Sequence, residues 1–269
     1  MEQKKNNYLN MGNLNRKLFF LTALPRSGNT LFGSLMNQNP DIAVTANSIT
    51  LEIFKVLYEL KDTDVFKNFP DHQSLDNVSD SVFNSYYKHW PQKYIIDRGP
   101  VMTPGNFMLM QKHFKYEFKV IVLWRDLMDV LASFIKWFEN EPTAYPNEYG
   151  KTIEEKLLGL MNNGGTIARQ LISIQNSFKY KHLCHYIKYD DLVTNPEQVI
   201  SELYKFLDIP YFNHNFKSLK QFEVNGMAYN DNIVGNKMHT IKTEIKREEN
   251  PYKQMIPKSI IDKYGHVKF

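Results

Sequence analysis

Short apolar runs alternate along the chain with longer segments in which apolar residues recur at helical spacing. The runs predict strands at residues 17–24, 42–45, 93–96, 119–124 and 185–188. The periodic segments predict helices, and Gly164-Gly165 is a point where the longest of them could break. The predicted helices cover residues 30–38, 51–60, 81–89, 105–113, 127–138, 153–178, 196–207 and 257–264. Residues 61–80 are polar and favour no element, and residues 211–250 are expected to form a long loop region.

Strands that alternate with helices indicate a parallel sheet covered by helices on both faces. The predicted fold class is therefore α/β, with three layers in the order α/β/α. We expect residues 17–269 to form a single domain, preceded by a flexible N-terminal arm of residues 1–16 that is rich in Asn and Lys. In sheets of this kind, ligands bind beyond the carboxyl ends of the strands.

Composition narrows the function classes. The chain has 269 residues, of which 42% are hydrophobic and 23% charged, which argues against disorder. Its one cysteine, Cys184, excludes an intramolecular disulfide and a cysteine-based zinc site. His182 and His185 have no carboxylate beside them, so we expect no metal.

Charge and hydropathy bear on partners and location. The net charge of +4 favours an anionic ligand, but the basic residues are scattered, so we expect no DNA or RNA partner. No apolar run approaches the ~20 residues of a membrane helix, and the N-terminus lacks the pattern of a signal peptide. The sequence therefore predicts a cytoplasmic protein without a membrane span.

The first candidate site is the turn Leu24-Pro-Arg-Ser-Gly-Asn-Thr30, between a predicted buried strand and a helix. Such a turn directs backbone N–H groups and the positive end of the helix at one point, which suits a phosphate. Gly28 allows the backbone to approach an anion closely. Ser27 and Thr30 can add hydroxyl donors, and Arg26 adds a guanidinium group that matches an oxyanion.

This turn differs from the phosphate loop of nucleoside triphosphatases. The pattern G-x-x-x-x-G-K-[ST] would require Gly at position 23 and Lys at position 29, where this chain has Ala23 and Asn29. The lysine that contacts the β- and γ-phosphates is absent. The turn is thus typical of a ligand that bears phosphate but has no γ-phosphate.

The second candidate site combines Arg125 with Ser133. Arg125 ends the most apolar predicted strand, and Asp126 is placed to cap the next helix. Ser133 lies at the rim of that helix's apolar stripe, eight residues after Arg125. The two side chains could converge on one anion beyond the sheet, one strand away from the first site.

Four segments in this order resemble the sulfotransferase superfamily that uses 3′-phosphoadenosine-5′-phosphosulfate (PAPS). Residues 20–31 resemble its 5′-phosphosulfate loop, and residues 120–133 its 3′-phosphate motif. Residues 189–197 resemble a segment near the adenine, and residues 238–242 a C-terminal loop that closes over the nucleotide. The resemblance extends from about residue 18 to residue 264 and is strongest to the bacterial branch with a Pro-Arg-Ser-Gly loop.

The resemblance implies a P-loop-like fold and a role for each matching residue. The implied donor is PAPS, the product adenosine 3′,5′-bisphosphate (PAP), and the acceptor a small molecule or glycan bearing a hydroxyl or amine. Arg125 and Ser133 would hold the 3′-phosphate, Tyr189 would lie beside the adenine or ribose, and Lys242 would approach from the closing loop. The 5′-phosphosulfate would be held by Arg26, Ser27, Gly28, Asn29 and Thr30.

The general base does not follow from the resemblance. The tyrosylprotein branch has a Glu where this chain has Asn47, and the small-phenol enzymes have a His where this chain reads Ile96-Asp-Arg-Gly-Pro100. Asp97, Glu52 and His239 remain as candidates. We favour Asp97, with Arg98 stabilising the sulfuryl group or the leaving oxygen; the alternative for this pair is a local ion pair.

Two other functions remain open at this point. One is a P-loop kinase in which Asp126 helps to hold a metal, although Ala23 and Asn29 argue against it. The other is a catalytically silent nucleotide-binding protein, which the missing conventional base would explain.

Overall fold

A computed structural model describes residues 9–11, 14–114, 118–141, 149–233, 238–241, 243–246 and 250–269. The strands are β1 (Leu9–Met11), β2 (Leu14–Ala23), β3 (Ile42–Val44), β4 (Tyr94–Arg98), β5 (Val120–Trp124) and β6 (Cys184–Lys188). The helices are α1 (Asn29–Met36), α2 (Thr50–Glu59), α3 (Asp64–Asn68), α4 (His72–Tyr86), α5 (Pro104–His113), α6 (Leu127–Asn140), α7 (Ile153–Met161), α8 (Thr166–Ser177), α9 (Tyr189–Thr194), α10 (Pro196–Leu207) and α11 (Lys258–Tyr264).

Five of the strands form a parallel sheet in the order β3-β4-β2-β5-β6, and β1 pairs antiparallel with β2. Phe20 in the central strand β2 is aligned with Asp97 on one side and Val120 on the other. The parallel sheet and its flanking helices confirm the predicted α/β fold class.

The central strand shows why the sheet is covered on both faces. Side chains alternate along a strand, and those of β2 enter two separate apolar clusters. Leu18 and Phe20 belong to one cluster, with residues of α2, α4–α8 and α11. Phe19 and Leu21 belong to the other, with residues of α1, α9 and α10. These two clusters are the cores between the three layers.

The strand order places the site. After β2, the chain adds β3 and β4 on one side, then returns to add β5 and β6 on the other. The order therefore reverses between β2 and β5, and such a reversal opens a crevice beyond the carboxyl ends of these strands. The backbone N–H of Leu24 donates to the carbonyl of Leu123 at 3.2 Å, so the two strand ends lie side by side.

Several elements differ from their predicted bounds. Helix α4 begins at His72, because the Asp71 carboxylate accepts the backbone N–H of Ser74 at 2.9 Å and caps the helix. The long predicted helix is divided into α7 and α8 at Gly164, whose φ is +97°. No predicted element corresponds to α3 or α9, two short helices of five and six residues.

The N-terminal segment also differs from the expected arm. Strand β2 begins at Leu14, and Arg16 is 1% exposed. Its guanidinium donates to the carbonyl oxygens of Tyr87, Trp90 and Gln92. Part of the predicted arm is thus tied to the domain, while residues 1–8, 12 and 13 lie outside the described residues. Among the described helices, none is both long and apolar enough to cross a membrane.

Candidate functional site

A cavity of about 400 Å³ lies beyond the carboxyl ends of β2, β4, β5 and β6. It contains most of the site residues predicted from the sequence. Those that line it are Arg26, Gly28, Asn29, Thr30, Arg98, Arg125, Ser133, Tyr189 and His239. The cavity is therefore the site where segments far apart in the sequence meet.

The turn between β2 and α1 forms one wall of the cavity. Gly28 precedes α1 with φ +87°, and the first turn of a helix leaves its backbone N–H groups without helical partners. The side-chain nitrogen Nδ2 of Asn29 donates to the Leu24 carbonyl at 2.8 Å. The buried Ser27 hydroxyl donates to the same carbonyl at 2.6 Å and does not line the cavity. Ser27 thus shapes the turn through its side chain.

Gly28 and Tyr189 are in close contact. A Cβ atom at position 28 would lie 2.7 Å from Cδ2 of Tyr189, closer than a side chain tolerates. The guanidinium carbon of Arg125 lies over the same Tyr189 ring, 4.4 Å from the ring centroid. Tyr189 therefore lies between the turn after β2 and the arginine that follows β5.

Arg26 and Arg125 lie next to each other. Arg26 Nε donates to the Ser133 hydroxyl at 3.0 Å, and its Nη1 donates to the Met238 carbonyl at 3.1 Å. Arg125 Nη1 donates to the Arg26 carbonyl at 3.3 Å. Burial lowers the pKa of Arg26, and the charge of Arg125 lowers it further, yet an arginine remains protonated in a protein. Two adjacent cations make this wall of the cavity strongly attractive to an anion.

A second group of side chains lies around His239. Its Nδ1 is hydrogen-bonded to the Asp231 carboxylate, and its ring stacks on Tyr229 with centroids 3.6 Å apart. The Tyr229 hydroxyl accepts from Arg98 Nη1 at 3.0 Å. Burial lowers the pKa of His239, Asp231 raises it in opposition, and Arg98 and Arg26 lower it. The net effect lowers the pKa of His239 and so favours the neutral imidazole.

Asp97 does not line the cavity, although it ends a strand beside it. It is 1% exposed, and its Oδ2 accepts hydroxyl hydrogen bonds from Ser48 at 2.7 Å, Thr50 at 2.9 Å, and Tyr87. Burial raises the pKa of Asp97, and these three hydrogen bonds oppose the rise. Asp97 thus anchors the segment between β3 and α2.

The third base candidate, Glu52, lies outside the cavity lining and accepts from Arg169 Nη2 at 2.6 Å on the surface. Of the three candidates, the structure brings only His239 to the cavity. Lys242 lies outside the described residues. No group of three or more His, Cys, Asp or Glu placed to hold a metal occurs in the part of the chain that is described.

Sequence reasoning missed Lys136, Lys246 and Asp231, and it named Tyr229 only as one of several aromatic residues that could line an acceptor pocket. Lys136 and Lys246 line the cavity, and Asp231 and Tyr229 support His239. Lys136 could have been found, because it lies on α6 one turn after Ser133. The other three lie in the long loop region, where no hydrophobic period indicates which residues meet.

The fold is α/β, and the arginine and lysine residues that line the cavity make it attractive to an anion. The family model described as "Sulfotransferase domain" matches residues 16–264. Because the match covers most of the chain, this protein belongs to the sulfotransferase family and is a sulfotransferase enzyme. The chain matches no curated protein at a significant level.

Solved structures show a similar fold. The sulfotransferase domain of the Synechococcus PCC 7002 olefin synthase is 14% identical, with all of both chains covered and a TM-score of 0.51. Retinol dehydratase in complex with retinol and PAP is also 14% identical, with 96% of this chain and 81% of that one covered and a TM-score of 0.48. A mouse sulfotransferase complexed with PAP is 18% identical over 73% of this chain and 60% of that one, with a TM-score of 0.46.

Proposed function

We propose that this enzyme transfers a sulfuryl group from PAPS to a hydroxyl or amine of a small-molecule or glycan acceptor and releases PAP. One observation carries the proposal. In a member of the sulfotransferase family, a single cavity joins the turn after β2 to Arg125 and Ser133, with Tyr189 between them. A nucleotide with anionic groups on both its 5′ and 3′ positions needs two such binding groups.

The polar atoms of the cavity fit this ligand. Arg125 Nε is buried and has no hydrogen-bond partner among the described residues. A guanidinium N–H without a partner is expensive to bury, so a phosphate oxygen at Arg125 would offset that penalty. Gly28 allows Tyr189 to pack directly on the turn, because a Cβ atom there would collide with the tyrosine ring.

The assignments follow the two ends of the nucleotide. Arg125 and Ser133 would bind the 3′-phosphate, and the backbone of the turn with Thr30 would bind the 5′-phosphosulfate. Tyr189 would contact the ribose or adenine. Arg26 borders both regions, since it follows β2 and hydrogen-bonds to Ser133, and it would stabilise the negative charge of the leaving phosphate oxygen.

PAPS supplies a sulfuryl group already activated by its phosphate. His239 would take the proton of the acceptor hydroxyl as the new S–O bond forms and the bond between sulfur and the phosphate oxygen breaks. Arg98 would stabilise charge on the transferring group, because its guanidinium lines the same cavity. His239 replaces Asp97 as the proposed base, since His239 is the one of the three candidate bases that lines the cavity.

The proposal is tested by calorimetry and by transfer of labelled sulfate. PAP should bind without magnesium, whereas ATP with magnesium should give no comparable affinity. ³⁵S-labelled PAPS should label at least one compound in a panel of phenols, sterols, saccharides and amines. Tight binding of ATP with magnesium in place of PAP would favour a kinase. PAP binding with no labelled product from any acceptor would favour a silent nucleotide-binding protein.

A further inference from the structure

The Asp231 carboxylate binds His239 with both of its oxygens. Oδ1 is hydrogen-bonded to the imidazole Nδ1, and Oδ2 accepts the His239 backbone N–H at 3.1 Å. The two side chains are 22% and 21% exposed, so the contact is shielded from water but open to the cavity. One carboxylate thus fixes both the backbone and the ring of the same residue.

This contact determines which ring nitrogen carries the proton. An ionised carboxylate can only accept hydrogen bonds, so Nδ1 of a neutral His239 must be the protonated nitrogen. The lone pair is then on Nε2, which has no hydrogen-bond partner among the described residues. A proton acceptor directed away from its carboxylate partner is the arrangement that a general base requires.

We infer that Asp231 is a positioning residue that holds His239 in the Nδ1-protonated form, with Nε2 free to accept the acceptor's proton. The inference rests on the proposed function, in which His239 is the base. Asp231 itself touches neither the acceptor nor PAPS in this scheme. Its proposed effect on proton transfer passes through the imidazole, and its charge also favours the protonated form of Arg26.

Tyr229 restricts the same ring from a second direction. The rings of Tyr229 and His239 are nearly parallel, with an interplanar angle of 5°. The Tyr229 hydroxyl is hydrogen-bonded to Arg98 and donates to the Ala46 carbonyl at 3.3 Å, which attaches the ring to the segment after β3. The imidazole can therefore neither tilt nor rotate without breaking a contact. Asp231, Tyr229, Arg98 and Arg26 are the titratable or charged groups that face it.

Asp231→Asn gives a specific test because an amide has one acceptor and one donor group. The backbone N–H of His239 can only donate a hydrogen bond, so it pairs with the oxygen of the new side-chain amide at position 231. The amide NH₂ is then directed at Nδ1, which can respond only by accepting. The proton must move to Nε2, and the lone pair needed for proton transfer turns away from the acceptor.

The tautomer can be read by NMR on the full-length protein labelled with ¹⁵N-histidine, with PAP added. Long-range ¹H–¹⁵N correlations should show a pyrrole-type Nδ1 and a pyridine-type Nε2 for His239 in the wild type, assigned with His239→Gln. In Asp231→Asn the two signals should exchange types. In Asp41→Asn the signals should not exchange, because Asp41 lies at the amino end of β3, whereas the cavity lies beyond the carboxyl ends of the strands.

Sulfate transfer provides the second measurement. Asp231→Asn should lower the rate about 100-fold or more and leave the affinity for PAP within about twofold. An Nε2-protonated His239 in the wild type, or an unchanged tautomer in Asp231→Asn, would overturn the inference. If Asp231→Asn does not fold, the wild-type tautomer alone decides. Failure of PAP to bind would refute the proposed function instead, and the NMR measurement remains readable in that case.

Discussion

Arg26 and Ser133 are joined directly, with Nε of the arginine donating to the serine hydroxyl at 3.0 Å. The two residues are 107 positions apart and follow different strands. The resemblance to the sulfotransferases implies that they bind opposite ends of the nucleotide. Their contact shows that the turn after β2 and helix α6 share one wall of the cavity, and that Arg26 connects them to the Met238 carbonyl.

Arg26→Lys should weaken binding of PAP about tenfold. Lysine keeps the positive charge, but a single ammonium cannot reproduce donors on both Nε and Nη1. Loss of one charge-assisted hydrogen bond, worth about 1.5 kcal/mol, corresponds to that factor. Calorimetry with PAP measures it, and Arg169→Lys is the control, since Arg169 lies outside the cavity lining. Equal affinities for Arg26→Lys and wild type would refute a direct role for the guanidinium.

Gly28→Ala should lower both stability and nucleotide affinity. A residue with a side chain at φ +87° is strained by about 1 kcal/mol, and the new Cβ would also collide with Tyr189. Gly164→Ala separates the two effects, because Gly164 has φ +97° and no atom within 4 Å of a Cβ there. Urea unfolding should show a loss in both variants. Only Gly28→Ala should also bind PAP more weakly, and retention of full affinity would contradict the contact with Tyr189.

The sheet was predictable because its strands are buried on both faces. Val120–Trp124 has no polar residue to mark a solvent face, which identifies a central parallel strand without reference to its partners. Helix α10 was predicted to its observed bounds, since Pro196 sets its first turn and Leu203 and Leu207 continue its apolar side. By contrast, Asp71 begins α4 through a capping bond that no hydrophobic period reveals.

The site was predictable where a residue directly follows a strand. Arg125 and Tyr189 do so, Arg26 lies three residues after β2, and the carboxyl ends of parallel strands meet at one edge. Asp97 and Arg98 are neighbours in β4, and adjacent side chains of a strand point to opposite faces, so only Arg98 reaches the cavity. The partnership of Asp231 with His239 depends on the loop's conformation, which pattern reasoning does not provide.

Arg125→Ala should discriminate between nucleotides with and without a 3′-phosphate. Affinity for PAP should fall about tenfold or more, because a charge-assisted contact to the 3′-phosphate is lost. Affinity for adenosine 5′-monophosphate, which has no 3′-phosphate, should change much less. Titration of both nucleotides into both proteins gives the comparison. An equal loss for the two nucleotides would mean that Arg125 binds some other part of the molecule.

The unfolding free energy should depend on pH through Asp97. Burial raises its pKa in the folded state above the ordinary value of 3.8. Between that value and the raised one, the folded protein holds a proton that the unfolded chain releases, so stability falls as pH rises through this window. Asp97→Asn removes this dependence. Urea unfolding at several pH values should show that the free energy of unfolding of the variant, relative to that of the wild type, rises as pH increases.

Asp71 provides a control of opposite sign for that measurement. The hydrogen bonds from Ser74 lower the pKa of Asp71 in the folded state. Its contribution to stability is therefore present above the ordinary pKa and is lost as pH falls through the folded one. The free energy of unfolding of Asp71→Asn, relative to that of the wild type, should therefore fall as pH increases. The same trend in both variants would show that burial does not set the titration of Asp97.

The rate of sulfate transfer tests whether His239 or Asp97 is the general base. His239→Ala should lose about 100-fold or more, because the cavity then has no neutral imidazole to accept the proton, and added imidazole should restore part of the rate. Asp97→Asn should keep most of the wild-type rate, as should His266→Gln at an exposed position. Because burial lowers the pKa of His239 below its usual 6.5, the wild-type rate should fall at acidic pH, with the midpoint of the fall below pH 6.5. A large loss in Asp97→Asn with little loss in His239→Ala would reverse the assignment of the base.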